Sequence, residues 1–233
     1  MKVHQLAVAG ALLALLGPVA LAGTYKTITI DGDYSDWTGV PVVDSDGGDN
    51  VGGPDIGDTQ VANDADYLYV RNSFPNGLSL GTFITIDIDE DVNTGFDVFG
   101  LGLVGSEAGW QNDFPFTQAT GVFNDGVGMN GPFFGIGAAL LAFDGVNFAN
   151  HPNRELAFDL DILRNVTNTA IFPDNTIRLL VWTDLGVGPD GTFGGFNGDV
   201  SGVIEYTLAV PEPATLGLVA VGLASFVGLR RRS

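Results

Sequence analysis

The sequence predicts an all-β protein, an antiparallel two-sheet β-sandwich of jelly-roll type with eight to ten strands, on three observations. Several stretches alternate apolar and polar residues with the period of two that marks a half-buried strand. Turn signals such as Asp31-Gly32, Asp46-Gly47, Asn76-Gly77, Asp125-Gly126, Asp144-Gly145 and Asp190-Gly191 separate them. Between residues 23 and 209 there is no long apolar stripe of helical period, and the chain's 34 glycines suit tight turns and bulges better than helices.

The elements follow in order. Residues 1–22 read as a signal peptide: Met1-Lys2 carry positive charge, Leu6–Leu16 is apolar and uncharged, and Ala20-Leu21-Ala22 offers cleavage after Ala22. This implies the Sec translocon and signal peptidase as partners. The body, residues 23–209, is expected to open with a strand at Thr27–Ile30, where Ile28 and Ile30 alternate with threonines. Asp31-Gly32 should then turn the chain, Asp36 cap the next turn, and Trp37 plug one end of the sandwich. Gly47–Gly57 reads as a surface loop. Tyr67–Val70 is a strand, and so is the stretch in which Ile84, Ile86 and Ile88 alternate with Thr85, Asp87 and Asp89. Gly100–Phe116, with Trp110 beside Gln111-Asn112-Asp113, reads as a loop. Phe134–Phe143 and Leu156–Leu160 are strand candidates, with one or two helical turns at Asp161–Val166. After Ile177–Asp184 and a second long loop at Gly186–Gly198, Ile204, Tyr206 and Leu208 mark the last strand.

Residues 210–233 differ in kind. Pro211-Glu212-Pro213 precedes the apolar run Ala214–Leu229, and Arg230-Arg231-Arg232 follows it. As a helix the run would be about 24 Å long at ~1.5 Å per residue, slightly short of a ~30 Å hydrocarbon core. The arginines would remain cytoplasmic, leaving the body outside. The two prolines keep the helix from extending backwards and leave a stiff exposed strip. This arrangement resembles the PEP-CTERM sorting tail of exported proteins from Gram-negative bacteria that make exopolysaccharide. The resemblance implies an exosortase as processing partner, membrane attachment through the helix before processing, and a final place at the cell surface or in the extracellular matrix. The processing residues would be Ala22, Pro211, Glu212, Pro213, Arg230, Arg231 and Arg232.

Charge excludes one class of partner. The body holds five basic residues, Lys26, Arg71, Arg154, Arg164 and Arg178, against 27 acidic ones. Such a surface repels nucleic acid and anionic membranes and attracts cations. Apolar and aromatic residues are too plentiful for a disordered chain. With no cysteine, stability has to come from core packing or bound metal. The densest acidic pattern is Asp87-Ile88-Asp89-Glu90-Asp91-Val92-Asn93, in which Asp87, Asp89, Asp91 and Asn93 follow one another at every second position. Oxygens at that spacing can converge on Ca2+, which takes 6–8 of them in irregular geometry. The bland alternative is a solvated acidic hairpin tip. The loop is not an EF-hand, since Val92 stands where that loop needs glycine.

Ile30-Asp31-Gly32-Asp33-Tyr34-Ser35-Asp36-Trp37, Asn63-Asp64-Ala65-Asp66-Tyr67-Leu68-Tyr69, and Ile86-Asp87-Ile88-Asp89 with Thr94-Gly95-Phe96 follow in that order. Together they resemble the family-nine carbohydrate-binding modules and their DOMON-like relatives. The resemblance implies a sandwich that binds extracellular polysaccharide. Flat aromatics beside hydrogen-bonding residues are the side chains that such binding uses. Candidates are Trp110, the face shared by Tyr67, Tyr69 and Arg71, and Trp182; each could equally fill the core. Catalysis finds no support in the motifs: His151 is the one histidine of the body, and no nucleophile elbow, zinc motif or phosphate loop is present. The expected function is therefore a non-catalytic, exported, polysaccharide-binding protein with structural calcium. The rival is a matrix protein bridged by cations, and a glycan-degrading enzyme is third.

Overall fold

A computed structural model describes residues 23–50, 52–79, 81–111, 114–117, 150–160, 175–183 and 198–210. The described residues are all-β: eleven strands, all paired antiparallel, and two short 3-10 turns. One sheet has four strands in the order β1 (Val42–Ser45), β2 (Asp58–Asn63), β3 (Tyr67–Ser73) and β9 (Asn153–Asp159). The other has five, β11 (Ile204–Thr207), β10 (Thr176–Thr183), β4 (Thr82–Asp87), β7 (Ala108–Gln111) and β8 (Phe114–Thr117). A small ribbon pairs β5 (Phe96–Asp97) with β6 (Gly105–Ser106).

The central core lies between the two sheets, as alternation requires. Val61, Leu68, Val70, Leu156 and Phe158 face Ile84, Ile86, Ile177, Leu179, Val181 and Ile204. Each of the larger side chains contributes about 1.5–3 kcal/mol by leaving water. Both outer faces are covered as well. Ile28, Trp37 and Val40 lie over Ala62, Tyr69 and Ala157 on the four-stranded sheet. Val98 and Val104 lie over Phe83, Leu180 and Trp182 on the five-stranded one. Consequently every residue of β4 is buried, including Thr85 and Asp87 on the face that alternation alone assigns to solvent.

Three expectations are corrected. Thr27–Ile30 is not a strand: only Tyr25 forms an isolated bridge, to Asn63, and the segment crosses the outer face of the sheet to bury Ile28. The turn that follows, Tyr34–Trp37, is capped by Asp33, whose side chain accepts from the Ser35 N–H; Asp36 instead accepts from the Thr29 N–H at 3.0 Å. Gly100–Phe116 is largely strand, holding β6, β7 and the start of β8, so Trp110 sits within a sheet, opposite Ile84, rather than in a loop. The Gly47–Gly57 loop is held in place by the buried Asp55, which accepts from the N–H groups of Gly48 and Asn50. Phe134–Phe143, Asp161–Val166, residues 186–197 of the second long loop, the signal peptide and the tail fall outside the described residues.

Candidate metal centre

Asp87 ends β4, and the register places Ala108 of β7 opposite Ile86, so Glu107 arrives beside Asp87 from the neighbouring strand. The chain then bends at Ile88 and brings Asp89 back to the same place. Carboxylate oxygens of Asp87, Asp89 and Glu107 all lie within 4.8 Å of one another. Their fixing bonds are local. Glu107 donates its N–H to the Ile86 carbonyl, while its Oε2 accepts from the Ile88 N–H at 3.0 Å and its Oε1 from the Thr94 hydroxyl at 2.8 Å. Asp89 accepts from the Asp91 N–H at 2.9 Å, and its two carboxylate oxygens lie 3.1 and 3.2 Å from the same Thr94 hydroxyl. The two backbones approach so closely here that a methyl group on Gly105 would run into the carbonyls of Thr94 and Asp91.

Asp87 is fully buried: its Oδ2 accepts from the Gly105 N–H at 3.3 Å, and its Oδ1 has no hydrogen-bond partner. Burial pushes its carboxyl above the usual range, with the Asp89 charge adding to the effect. Burial likewise pushes Glu107 up to about 7, reinforced by Asp89 and Asp87. Arg178, opposite Asp87 in β10, spends its guanidinium on the Glu90 carbonyl at 2.9 Å and the Glu90 carboxylate at 3.6 Å.

Of the four ligands expected from sequence, the structure brings Asp87 and Asp89 together. Asp91 and Asn93 stay on the exposed turn, where Asp91 Oδ1 accepts both the Asn93 N–H and its side-chain amide. Glu107 is the member that sequence spacing does not reveal. It is the one acid between Asp97 and Asp113, but only the β4–β7 register shows where it goes.

A second acidic group joins Asp46, Asp49 and Asp199, again within 4.8 Å. Burial, then the charges of Asp199, Asp49, Asp44 and Asp55, push Asp46 up to about 6. Asp199 is tied to the Ile56 and Val200 N–H groups. The raised carboxyls set a pH dependence. Between the ordinary values and about 6–7 the folded state holds protons that the unfolded chain releases, so stability falls as pH rises through that window. Asp64 and Asp91, whose carboxyls lie below the ordinary value, act in the opposite sense only at more acid pH. In chelator, the melting temperature should be highest near pH ~4–5 and several degrees lower at pH ~7. A thermal melt series across that range checks it; a rise toward neutrality would contradict it.

The aromatic candidates are dispersed. Tyr69 and Trp182 are core residues, each 3% exposed: Tyr69 packs beneath Trp37 and donates its hydroxyl to Asp64, and Trp182 stacks on Phe83 at 4.1 Å. Neither ring has a face for a sugar, because residues 28–40 cover the first and residues 98–104 help cover the second. Tyr67 is half-buried against the same cluster. Arg71 bonds Gln60 and Asn153 and lies 4.8 Å over the Tyr34 ring. Trp110 occupies β7, and its side chain is outside the described residues.

The PEP-CTERM protein-sorting motif matches residues 209–232. Searches of curated proteins and of solved structures gave no match. The motif begins on Ala209, whose N–H and C=O are both bonded by the Asn63 side chain, so the folded body runs into it without a spacer. Among the described residues no helix is long and apolar enough to cross a membrane; the run Ala214–Leu229 lies outside them.

Proposed function

We infer from the sorting motif that the protein is exported, handled by an exosortase, and delivered to the cell surface or beyond it. We propose that there it is a non-catalytic component of the extracellular matrix, an acidic sandwich that takes up calcium and is held in polyanionic material through it. The observation that carries this reading is the two three-carboxylate groups found among the described residues, on a body with so few basic residues. Such groups bind and bridge hard cations. The non-catalytic part rests on the sequence: the chain has no cysteine, His151 is the one histidine of the body, and no nucleophile elbow, zinc motif or phosphate loop is present. Polysaccharide binding is the second reading. It is favoured by the half-buried Tyr67 and by Arg71 lying over the Tyr34 ring on the same sheet face, and weakened by the burial of Tyr69 and Trp182.

The two readings separate in a cell-fractionation experiment. Protein from the surface fraction should be released by chelator and retained when calcium is restored. Release by soluble exopolysaccharide with calcium present, and no response to chelator, would overturn the cation reading in favour of a sugar site.

A further inference from the structure

We infer that Asp87, Asp89 and Glu107 form a specific calcium site where the end of β4 meets the start of β7, with Glu107 the ligand that separates it from the acidic turn next to it. The inference deepens the calcium part of the reading above and rests on it for physiological context. Three observations converge. The first is the meeting within 4.8 Å of three carboxylates from the end of β4, the bend after it and the junction between β6 and β7. The second is Asp87 Oδ1, an oxygen without a partner on a side chain with no exposed surface. Buried carboxylate oxygens are ordinarily bonded, because leaving one bare costs its full desolvation. The adjacent Arg178 gives it no hydrogen bond, since its bonds go to Glu90, and only its charge acts on Asp87 from a distance.

The third is Thr94. Its hydroxyl carries one proton, yet it lies within 3.2 Å of Asp89 Oδ1 and Oδ2, the Asp91 carbonyl and Glu107 Oε1. One proton cannot serve four acceptors. A divalent cation beside them would draw the excess lone pairs and compensate the crowded negative charge. The donors are all oxygens, which selects a hard ion, and their mixed origin suits calcium's 6–8 irregular ligands better than the rigid octahedron of Mg2+. The exposed turn, by contrast, uses Asp91 and Asn93 to satisfy each other.

Calorimetric titration of the purified full-length protein with CaCl2, after treatment with chelator, tests this. Wild type is expected to bind one equivalent at this site with Kd of about 1 mM or tighter, the range of extracellular modules. Glu107→Gln and Asp89→Asn should each weaken that binding at least ~10-fold, the loss expected when one charged ligand is removed. Asp91→Asn should leave it within about twofold, since Asp91 bonds only within its turn. Circular dichroism verifies that each variant is folded, and Asp89→Asn carries the test if Glu107→Gln is not. The inference is overturned if wild type takes up no calcium at about 10 mM, if the Glu107 and Asp89 variants bind as wild type does, or if Asp91→Asn alone abolishes binding. Failure here with chelator-sensitive matrix retention intact removes this site only. Binding here without such retention removes the matrix reading only.

Discussion

Replacing Glu155 by alanine should destabilise the fold by about 3–5 kcal/mol and lower the melting temperature by roughly 10 °C or more. Glu155 is a fully buried acid on β9, at 0% exposure. Its Oε1 accepts from the backbone N–H groups of Asp31 and Gly32, at 3.0 and 2.7 Å, and its Oε2 from the Trp37 indole at 2.8 Å. These three bonds fasten residues 31–37 to a strand more than a hundred positions away, and so hold Trp37, itself 1% exposed, over the outer face of the sheet. A hydrogen bond to a charged group contributes about 1.5–3 kcal/mol, and each buried donor left bare costs about 1–3. These costs do not simply add. Alanine leaves space that water can enter, so Glu155→Gln is the sharper test: an amide oxygen can replace Oε1, but its NH2 would then face the indole N–H, donor against donor. The glutamine variant should therefore lose nearly as much as alanine, with a red-shifted tryptophan emission. Denaturant titration reads the loss. A change under about 1 kcal/mol would mean that the layer carrying Trp37 contributes little to stability.

That layer also shows where the sequence stops being informative. Strands with a clean period of two, Tyr67–Val70, Ile84–Ile86, Ile177–Val181 and Ile204–Tyr206, lie where alternation places them, because one side of each meets the central core. The sorting tail is legible for a different reason: its parts are contiguous. What alternation cannot show is that both sheets carry a second covering. Asp87, Tyr69 and Trp182 sit on faces that the pattern assigns to water, and residues 28–40 and 98–104 close over those faces. The strands of residues 105–117 leave no periodic signal because they are short, with no apolar rhythm. Without those strands Glu107 has no visible place. The ligands at Asp87 and Asp89 stand out as a run of acids, whereas the third depends on a register between strands some twenty residues apart. Local spacing suggests Asp91 and Asn93 instead, and the turn uses those two to cap itself.

The same dependence on distant pairing makes Asn63 the second sensitive position. Its amide is 1% exposed and fully engaged: Nδ2 donates to the carbonyls of Asp64 and Ala209 at 2.9 Å, and Oδ1 accepts from the Tyr206 hydroxyl at 2.9 Å and the Ala209 N–H at 2.8 Å. Its backbone accepts from Lys26 and donates to Thr24. Both ends of the body are thus held at one residue, and Gly23 adds a bond to the Thr207 carbonyl. Asn63→Ala is expected to cost about 2–4 kcal/mol, or roughly 5–15 °C in melting temperature. Asn63→Asp separates the two halves of the contact: it keeps the acceptor for Tyr206 and the Ala209 N–H but turns an oxygen toward two carbonyls, so it should lose at least as much. Hydrogen exchange locates the damage. The Ala209 amide, protected in wild type, should exchange at least ~10-fold faster in Asn63→Ala, while amides of β4 and β10 change only with global stability. Uniform acceleration across the sandwich would show that Asn63 supports the fold as a whole. Acceleration confined to Ala209 and the Thr24–Lys26 stretch would show a local clamp. Because the sorting motif starts on Ala209, such a clamp fixes the distance between the folded body and Pro211-Glu212-Pro213 at a single residue, Val210. An enzyme that reads the motif after folding must then work directly against the body's surface.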